Sequence, residues 1–391
     1  MPPERNNRSA KKIQGGESRK TKSREAGAHE AKARPAKAHR ARTHDAKTRE
    51  VKARDAKARQ ARPTAPRTTS SVSRPASPKQ TSVAIIGAGR LGSALALALS
   101  ENGYRVAALV ARRVRRARLA ARAVTPRPLA LDATQLNSLP DTDLILVTTP
   151  DDQIAEVALR LAQAWAKRSE MRHAMLPRPS RRPVALHASG ALPSDVLSPL
   201  AAHAFSVGSL HPLVSISDAA AGGASNLRGA FSCLEGEARA RRAARKIVGA
   251  LGGRSFSVAA RDKALYHAAA VITSGHTVAL FSLAAELLAR CGLSDARAQQ
   301  VLLPLLGSTL DNLRAHEPER ALTGTFARAD LSTVRKHLAA LGGANVKDAL
   351  AIYALLGGRS LRLAARRNEF APPLSVEIER LLRKAFKASL K

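Results

Sequence analysis

Cysteine is almost missing from this chain: Cys233 and Cys291 are the only two in 391 residues. They form no Cys-x-x-Cys pair and no metal-ligand spacing, so no metal site is expected. A disulfide scaffold is excluded, and a reducing, cytoplasmic setting is expected. No run of 18 apolar residues occurs, so no membrane span is expected. The N-terminus lacks the apolar core of a secretory signal. It is Arg- and Ser-rich like a transit peptide, but its acids and its missing apolar face argue against that reading. Acidic residues are also scarce, at 30 Asp/Glu against 65 Lys/Arg, for a net charge of +35.

That charge is uneven. Residues 1–80 hold 23 Lys/Arg and 7 Asp/Glu, leaving 42 and 23 for a body nearly four times as long. The tail repeats a five-residue unit in phase, from Glu30-Ala-Lys-Ala-Arg34 to Asp55-Ala-Lys-Ala-Arg59. A period of five matches neither helix nor strand, and almost no large apolar residue is present to offset ordering entropy. Residues 1–80 are therefore expected to be disordered. They could serve as an electrostatic arm for nucleic acid or another polyanion. The alternative is a solvated extension, or a start codon assigned too early. No aromatic residue is interleaved there, so base stacking is not on offer. Pro63, Pro66, Pro75 and Pro78 make a linker ahead of the first strand.

What is present begins at Val83. Four apolar residues, Val83-Ala84-Ile85-Ile86, run into Gly87-Ala88-Gly89-Arg90-Leu91-Gly92, and an Ala/Leu-rich helical pattern follows. Strand, Gly-x-Gly-x-x-Gly turn and helix together point to dinucleotide binding. Gly87 allows the sharp turn, Gly89 admits a pyrophosphate, and Gly92 lets helix and strand pack closely. The helix start at Arg90 and Leu91 offers free N–H groups to the phosphates.

Cofactor choice is read at the end of the next strand, Arg105–Ala111. NAD sites place an Asp or Glu there, but this chain has Arg112 and Arg113, and no acid lies between Glu101 and Asp132. Guanidinium groups suit a 2′-phosphate, so NADP is expected. A helix over 114–124 follows. Next come a strand from Asp143 to Pro150, a helix from about Asp151 to Trp165, and a basic loop over Lys167–Pro183. Further strands are read at Val184–Gly190, Ala204–Leu210, Ala230–Leu234 and Ser255–Val258. Strands alternating with helices give an α/β, doubly wound sheet over residues 81–259. Thr149 and Pro150 then line the nicotinamide ribose, since ligands sit at strand carboxyl ends. Asp151 reads as a helix cap.

From Ala260 helical spacing takes over, at Ala260–Cys291, Asp295–Leu313, Leu331–Leu341, Val346–Ala364 and Leu374–Phe386. Residues 260–391 read as an all-α domain for substrate and for dimerisation, giving a homodimer through the helices. Ser189, Lys263 and His267 converge near the junction on this reading, with His211 as a further candidate. Ser189-Gly190 offers a hydroxyl and a bare N–H to a carboxylate or carbonyl. Lys263 and His267, at i and i+4, share a helix face. His211, held extended by Pro212, points from a strand end. Lys263 can give a proton and His267 orient it.

The order of six motifs carries a resemblance: GAGRLG at 87–92, VTTPDDQI at 147–154, HASGAL at 187–192, GSLHPL at 208–213, DKALYHAAAV at 262–271 and LTGTFARAD at 322–330. From Ser82 nearly to its end the chain resembles a family of Rossmann proteins with a helical C-terminal domain of unknown function. That family is similar to the superfamily of pyrroline-carboxylate reductase, ketopantoate reductase and the β-hydroxyacid dehydrogenases. The resemblance implies a nicotinamide cofactor on the Rossmann domain and substrate against the helices. Lys263-x-x-x-His267 resembles the Lys-x-x-x-Asn of the β-hydroxyacid dehydrogenases. Members often show Ala-Ser-Asn where this chain reads Thr273-Ser274-Gly275. The expected activity is NADP-dependent redox chemistry on a small acid bearing a keto, hydroxy or imino group. A non-catalytic dinucleotide-binding regulator and a polyanion-binding protein are the rivals.

Overall fold

A computed structural model describes residues 80–173, 182–218, 221–367 and 372–390. The basic tail and its repeat lie outside the described residues, as do 174–181 of the expected loop. Residues 76–391 form one compact unit.

Eight strands build a single sheet: β1 (Ser82–Ile86), β2 (Arg105–Ala111), β3 (Leu129–Asp132), β4 (Leu144–Val147), β5 (Val184–His187), β6 (Ser206–Pro212), β7 (Phe231–Gly236) and β8 (Arg254–Phe256). Their spatial order is β3-β2-β1-β4-β5-β6-β7-β8. Pairs from β3 through β6 are parallel, and β7 runs antiparallel to β6. The order reverses between β1 and β4, which opens a crevice at their carboxyl ends.

Strand β1 shows why the run is apolar throughout. Val83 and Ile85 enter one core and Ala84 and Ile86 the other, because successive side chains alternate faces. Helices α1 (Arg90–Glu101) and α2 (Val114–Ala121) cover the first face, with α5 (Ala221–Leu227) and α6 (Ala238–Ala250). Helices α3 (Asp151–His173) and α4 (Ser198–Ala201) cover the second.

Several boundaries differ from the sequence reading. Helix α2 stops at Ala121, three residues before the expected end at Val124. The edge strand β3 was not anticipated; it is four residues long and buries only Leu131, too short a run to show a period. Helix α3 continues to His173 through what reads as a basic loop. Arg168 explains the extension. It stacks on Trp165 at 5.0 Å and donates to the Leu139 carbonyl and the Asp141 carboxylate at 2.6 and 2.7 Å. A charge that looks solvated in sequence is thus tied to the domain.

The C-terminal part is helical: α7 (Lys263–Thr273), α8 (Gly275–Arg290), α9 (Asp295–Ala315), α10 (Pro318–Ala321), α11 (Leu331–Gly343), α12 (Ala349–Ala365) and α13 (Pro372–Ser389). The stretch read as one helical segment from Ala260 breaks at Ser274, whose ψ of −73° ends α7 and opens α8. Val334, Ala354, Leu361, Ile378 and Leu382 form a third core among α11, α12 and α13. By contrast, α7, α8 and α9 bury only Lys263, Ala285 and Ala298. By length and composition Ala260–Arg290 is apolar enough to cross a membrane. The expectation of no membrane span rests on uninterrupted runs of 18 apolar residues, and this segment holds none. His267, Thr273, Ser274, His276 and Thr277 break the run without making the segment polar on average.

Candidate functional site

The glycine turn is locked from beneath by β4. Gly87 has φ +113°, a conformation that favours glycine. A Cβ there would lie 2.6 Å from the Thr148 carbonyl carbon and 2.8 Å from the Thr149 nitrogen. A Cβ on Gly92 would lie 2.0 Å from the Gly87 carbonyl oxygen and 2.5 Å from Thr148 Oγ1. Gly89 is different: a Cβ there would meet nothing within 4 Å, so the backbone faces open space. Thr148 fastens the crevice. Its N–H donates to Ile86 O at 2.7 Å and its hydroxyl to Gly87 O at 2.8 Å. The N–H groups of Gly87 and Ala88 both donate to Val110 O, pulling the turn against the end of β2. Helix α1 then starts at Arg90, so the amides of Arg90, Leu91 and Gly92 precede the first intrahelical acceptor.

One buried polar atom here lacks a partner. Thr149 Oγ1 is shielded from solvent and has no hydrogen-bond partner. Such groups ordinarily find one. An unsatisfied hydroxyl, an open Gly89 and a helix N-terminus at the reversal point fit a dinucleotide. Pro150 is exposed beside them at the start of α3. Gly92→Ala is expected to weaken binding of a nicotinamide dinucleotide at least about fivefold, since overpacking of this kind costs about 1–3 kcal/mol. Calorimetric titration with a melting curve on the same sample checks it.

Arg112 and Arg113 are exposed at the end of β2, and Arg113 is the N-cap residue of α2. Arg116, one turn on, donates from Nε to the Ala88 carbonyl at 3.3 Å. Its place at i+4 from Arg112 was legible in the sequence, but the glycine turn as its partner was not. Asp132 pairs in register with Ala111 and is the acid next to these arginines along the sheet. It accepts from Thr134 N–H and Oγ1. Those bonds hold its carboxyl below the usual range.

A second cluster lies at the ends of β5 and β6, where α7 begins. Gly190 is its hub. A Cβ on Gly190 would fall 2.3 Å from His267 Nδ1 and 2.9 Å from both Cε1 and Nε2 of His211. The two rings meet edge to face with centroids 5.4 Å apart. His211 Nδ1 shares a 2.6 Å hydrogen bond with the Tyr266 hydroxyl. His267 Nδ1 is buried without a partner. Burial, with the His267 and Lys263 charges, pushes the His211 imidazole down to about 4. Burial pushes the Tyr266 hydroxyl up. Tyr266 was missed in the sequence because its neighbours at i−3 and i+1, Lys263 and His267, drew the reading to another helix face.

Ser189 and Lys263 are placed differently from their expected roles. Ser189 Oγ donates to Asp151 Oδ2 at 2.7 Å and accepts from the Ala191 and Leu192 amides at 3.1 and 3.0 Å. Its hydroxyl is therefore committed to the turn. Lys263 has 0% exposure. Its Nζ donates to Ser189 O at 3.1 Å and to Ser209 Oγ at 2.8 Å. Ser209 Oγ in turn reaches Glu235 at 3.5 Å, and Glu235 accepts from Ser194 N–H and Oγ at 2.8 Å each. Burial lowers the Lys263 ammonium from its ordinary value, opposed by Cys233, Glu235 and Asp151. His187, 1% exposed, accepts from Ser189 N–H on Nδ1 and meets Pro193 O through Nε2, both at 3.2 Å. A carbonyl can only accept, so Nε2 holds the proton and the ring is neutral.

Residues 64–212 match the model of a Rossmann-like domain, and residues 230–360 match DUF2520, a domain of unknown function. The chain thus joins a Rossmann-like domain to that C-terminal domain. A search of the curated proteins finds no match. Among solved structures it is similar to a Bacteroides fragilis protein described as an NADP oxidoreductase, at 24% identity and TM-score 0.55, covering 72% of this chain and 98% of that one. It also resembles a Thermotoga maritima protein at 22% identity and TM-score 0.49, covering 79% and 100%. A Coxiella burnetii pyrroline-5-carboxylate reductase follows at 12% and 0.44, covering 78% and 98%. The first of these likenesses is one of fold.

Proposed function

We propose that this protein is an NADP-dependent oxidoreductase acting on a small acid that bears a keto, hydroxy or imino group. The observation that carries the reading is the adjacency of two half-finished sites. A dinucleotide cradle with an unsatisfied Thr149 hydroxyl ends β1 and β4. A histidine pair with an unsatisfied His267 nitrogen sits at the ends of the neighbouring β5 and β6. The name of the Bacteroides fragilis protein, an NADP oxidoreductase, agrees with it.

The nicotinamide, when bound, supplies or accepts the hydride. The chain's own residues handle the proton. In this reading the Tyr266 hydroxyl is the donor in its 2.6 Å bond to His211 Nδ1, which puts the ring proton on Nε2, the atom nearest Gly190. His211 is neutral near pH 7, so as Nε2 gives that proton to a developing oxyanion or amine, Nδ1 takes the proton of the Tyr266 hydroxyl, which solvent restores; the oxidative direction runs the same relay in reverse. His267 offers a second ring nitrogen to the same atom. Lys263 acts by positioning: it pins the Ser189 carbonyl, shapes the Gly190 turn and adds a positive field that favours an anionic substrate. The Ser189–Asp151 bond holds that turn to α3.

Arg112, Arg113 and Arg116 set the cofactor choice. NADPH is expected to bind more tightly than NADH by about 1.5–3 kcal/mol, the worth of hydrogen bonds to a charged group. Arg112→Asp is expected to erase or invert the preference. Equal affinities in wild-type calorimetry would remove NADP from the reading. The reaction itself is tested with NADPH and a panel of 2-oxo and imino acids. Tight binding with no turnover on any of them would favour a dinucleotide-binding regulator.

A further inference from the structure

Midway along α3 one helix face is hollow. Arg160, Gln163, Ala164 and Lys167 lie at i, i+3, i+4 and i+7, so they share that face. Three of them are long and polar, and Ala164 between them is short. Ala164 and Leu136, both buried, floor the gap, and the three long side chains wall it on one side. Asn137 closes the other side, from the short 3₁₀ turn Leu136–Ser138 between β3 and β4. The cavity measures about 150 Å³ and is half open to solvent. At about 10–15 Å³ per water it has room for roughly ten waters, or for a ligand of about as many non-hydrogen atoms.

The frame of this cavity is fixed. Arg168 donates to the Leu139 carbonyl at 2.6 Å and to the Asp141 carboxylate at 2.7 Å, which ties the β3–β4 connection to α3. Arg160 donates from Nη2 to the Ala133 carbonyl, near the start of that connection. The rim is different. Among the described residues the side chains of Asn137, Gln163 and Lys167 have no protein partner. The nearby acids are engaged: Glu156 stands 3.6 Å from Arg160 Nη1, and Asp132 accepts from Thr134 N–H and Oγ1.

We propose that this cavity binds a small phosphate-bearing anion of the size of diphosphate, at a site separate from the dinucleotide crevice. Charge and donor type select the class. Arg160 and Lys167 offer N–H groups and no acceptor, and the Asn137 and Gln163 amides add donors from opposite walls. A cation would meet two positive side chains, and an apolar ligand would meet little beyond Ala164 and Leu136. Shape narrows the class further. Arg160 and Lys167 stand two turns apart, about 10 Å along the axis, so donors approach from both ends and from across. A carboxylate is best met by donors in its own plane. A phosphate spreads its oxygens around one phosphorus, and a diphosphate carries such a group at each end. A fixed frame keeps the ordering cost of binding low. The crevice lies at the other end of this helix, where Thr149 and Pro150 precede Asp151. From Asp151 to Arg160 is about 14 Å of helix, so a bound dinucleotide leaves the cavity free. The inference does not rest on the redox reading.

The test is calorimetric titration of the full chain with inorganic diphosphate, after addition of NADPH to occupy the crevice. One diphosphate per chain is expected. Lys167→Ala is expected to weaken it at least about tenfold, as loss of a hydrogen bond between charged groups implies. Gln163→Glu places a negative charge on the rim and is expected to weaken it as well. Ala164→Leu fills the floor with every charge left in place, and is expected to abolish binding. Lys167 and Gln163 are exposed, so the thermal midpoints of those two variants without ligand are expected to hold. Arg118→Ala and Arg122→Ala each remove one exposed charge from α2 or its end and are expected to change nothing. Absence of binding overturns the proposal. So does binding that Gln163→Glu and Ala164→Leu leave intact, or that Arg118→Ala weakens as much as Lys167→Ala does. Either result would show anions gathered diffusely around a chain of net +35. Succinate, titrated in place of diphosphate, separates the two kinds of dianion. Tighter binding of succinate at the same residues overturns the phosphate class. The variants decide the outcome whether or not NADPH binds, so failure of the cofactor reading is seen separately.

Discussion

Gly190→Ala is expected to cut turnover by about 10²–10⁴, the usual worth of general acid–base help, while NADPH affinity stays near wild type. The reason is steric and local. The added methyl would sit 2.3 Å from His267 Nδ1 and 2.9 Å from His211 Nε2, so both rings must leave their places. The glycine turn that holds the dinucleotide lies on β1 and α1, away from this contact. Steady-state kinetics on the best substrate of the acid panel, with calorimetry alongside, separates the two effects. Tyr266→Phe supplies the control for geometry. It keeps the ring that packs against His211 but removes the hydroxyl bonded to Nδ1. Its kcat is expected to fall and its pH profile to move, with KM little changed. If Gly190→Ala turns over within about threefold of wild type, far short of that range, the histidine pair is not the proton-transfer group.

Folding stability is expected to drop steeply in mild acid, by about 3–4 kcal/mol between pH 7 and pH 5. His187 is held down to about 3 and His211 to about 4, each chiefly by burial. In the unfolded chain both titrate near 6.5. Below that value the unfolded state binds protons that the folded state refuses, so stability is present above the unfolded pKa and lost as pH falls. Each histidine contributes about 1.4 kcal/mol per pH unit in that window. Urea unfolding at several pH values reads the slope directly. A stability constant from pH 7 to pH 5 would show that neither ring is held neutral. His187→Asn is expected to halve the slope, because one of the two titrating groups is gone.

The dinucleotide half of the site was legible because its signals are local. A strand buried on both faces needs a continuous apolar run, and Val83–Ile86 is one. A turn at φ +113° favours glycine, and Gly87 stands there. The arginines at the end of β2 are read from neighbours in sequence. The boundary of α3 was not legible, because what extends it is Arg168 reaching Leu139 and Asp141 some thirty residues away.

The chemistry-bearing half depended on tertiary placement. Sequence supplied His211, Lys263 and His267 as types, and the spacing of the last two on one helix. It could not show that Lys263 is fully buried on Ser189 and Ser209, or that Ser189 spends its hydroxyl on Asp151. Nor could it show that Gly190 has no side chain because two imidazoles occupy the space. Those facts come from β5, β6 and α7 meeting across a separation of 77 positions, from Gly190 to His267. Periodicity reports which face of an element is apolar; only packing decides what that face meets. For α7, α8 and α9 the sequence determined helices rich in leucine and alanine. The tertiary structure decided that those leucines stay exposed among the described residues, since the contacts of α7 with the sheet run through Lys263, Tyr266 and His267 in its first turns.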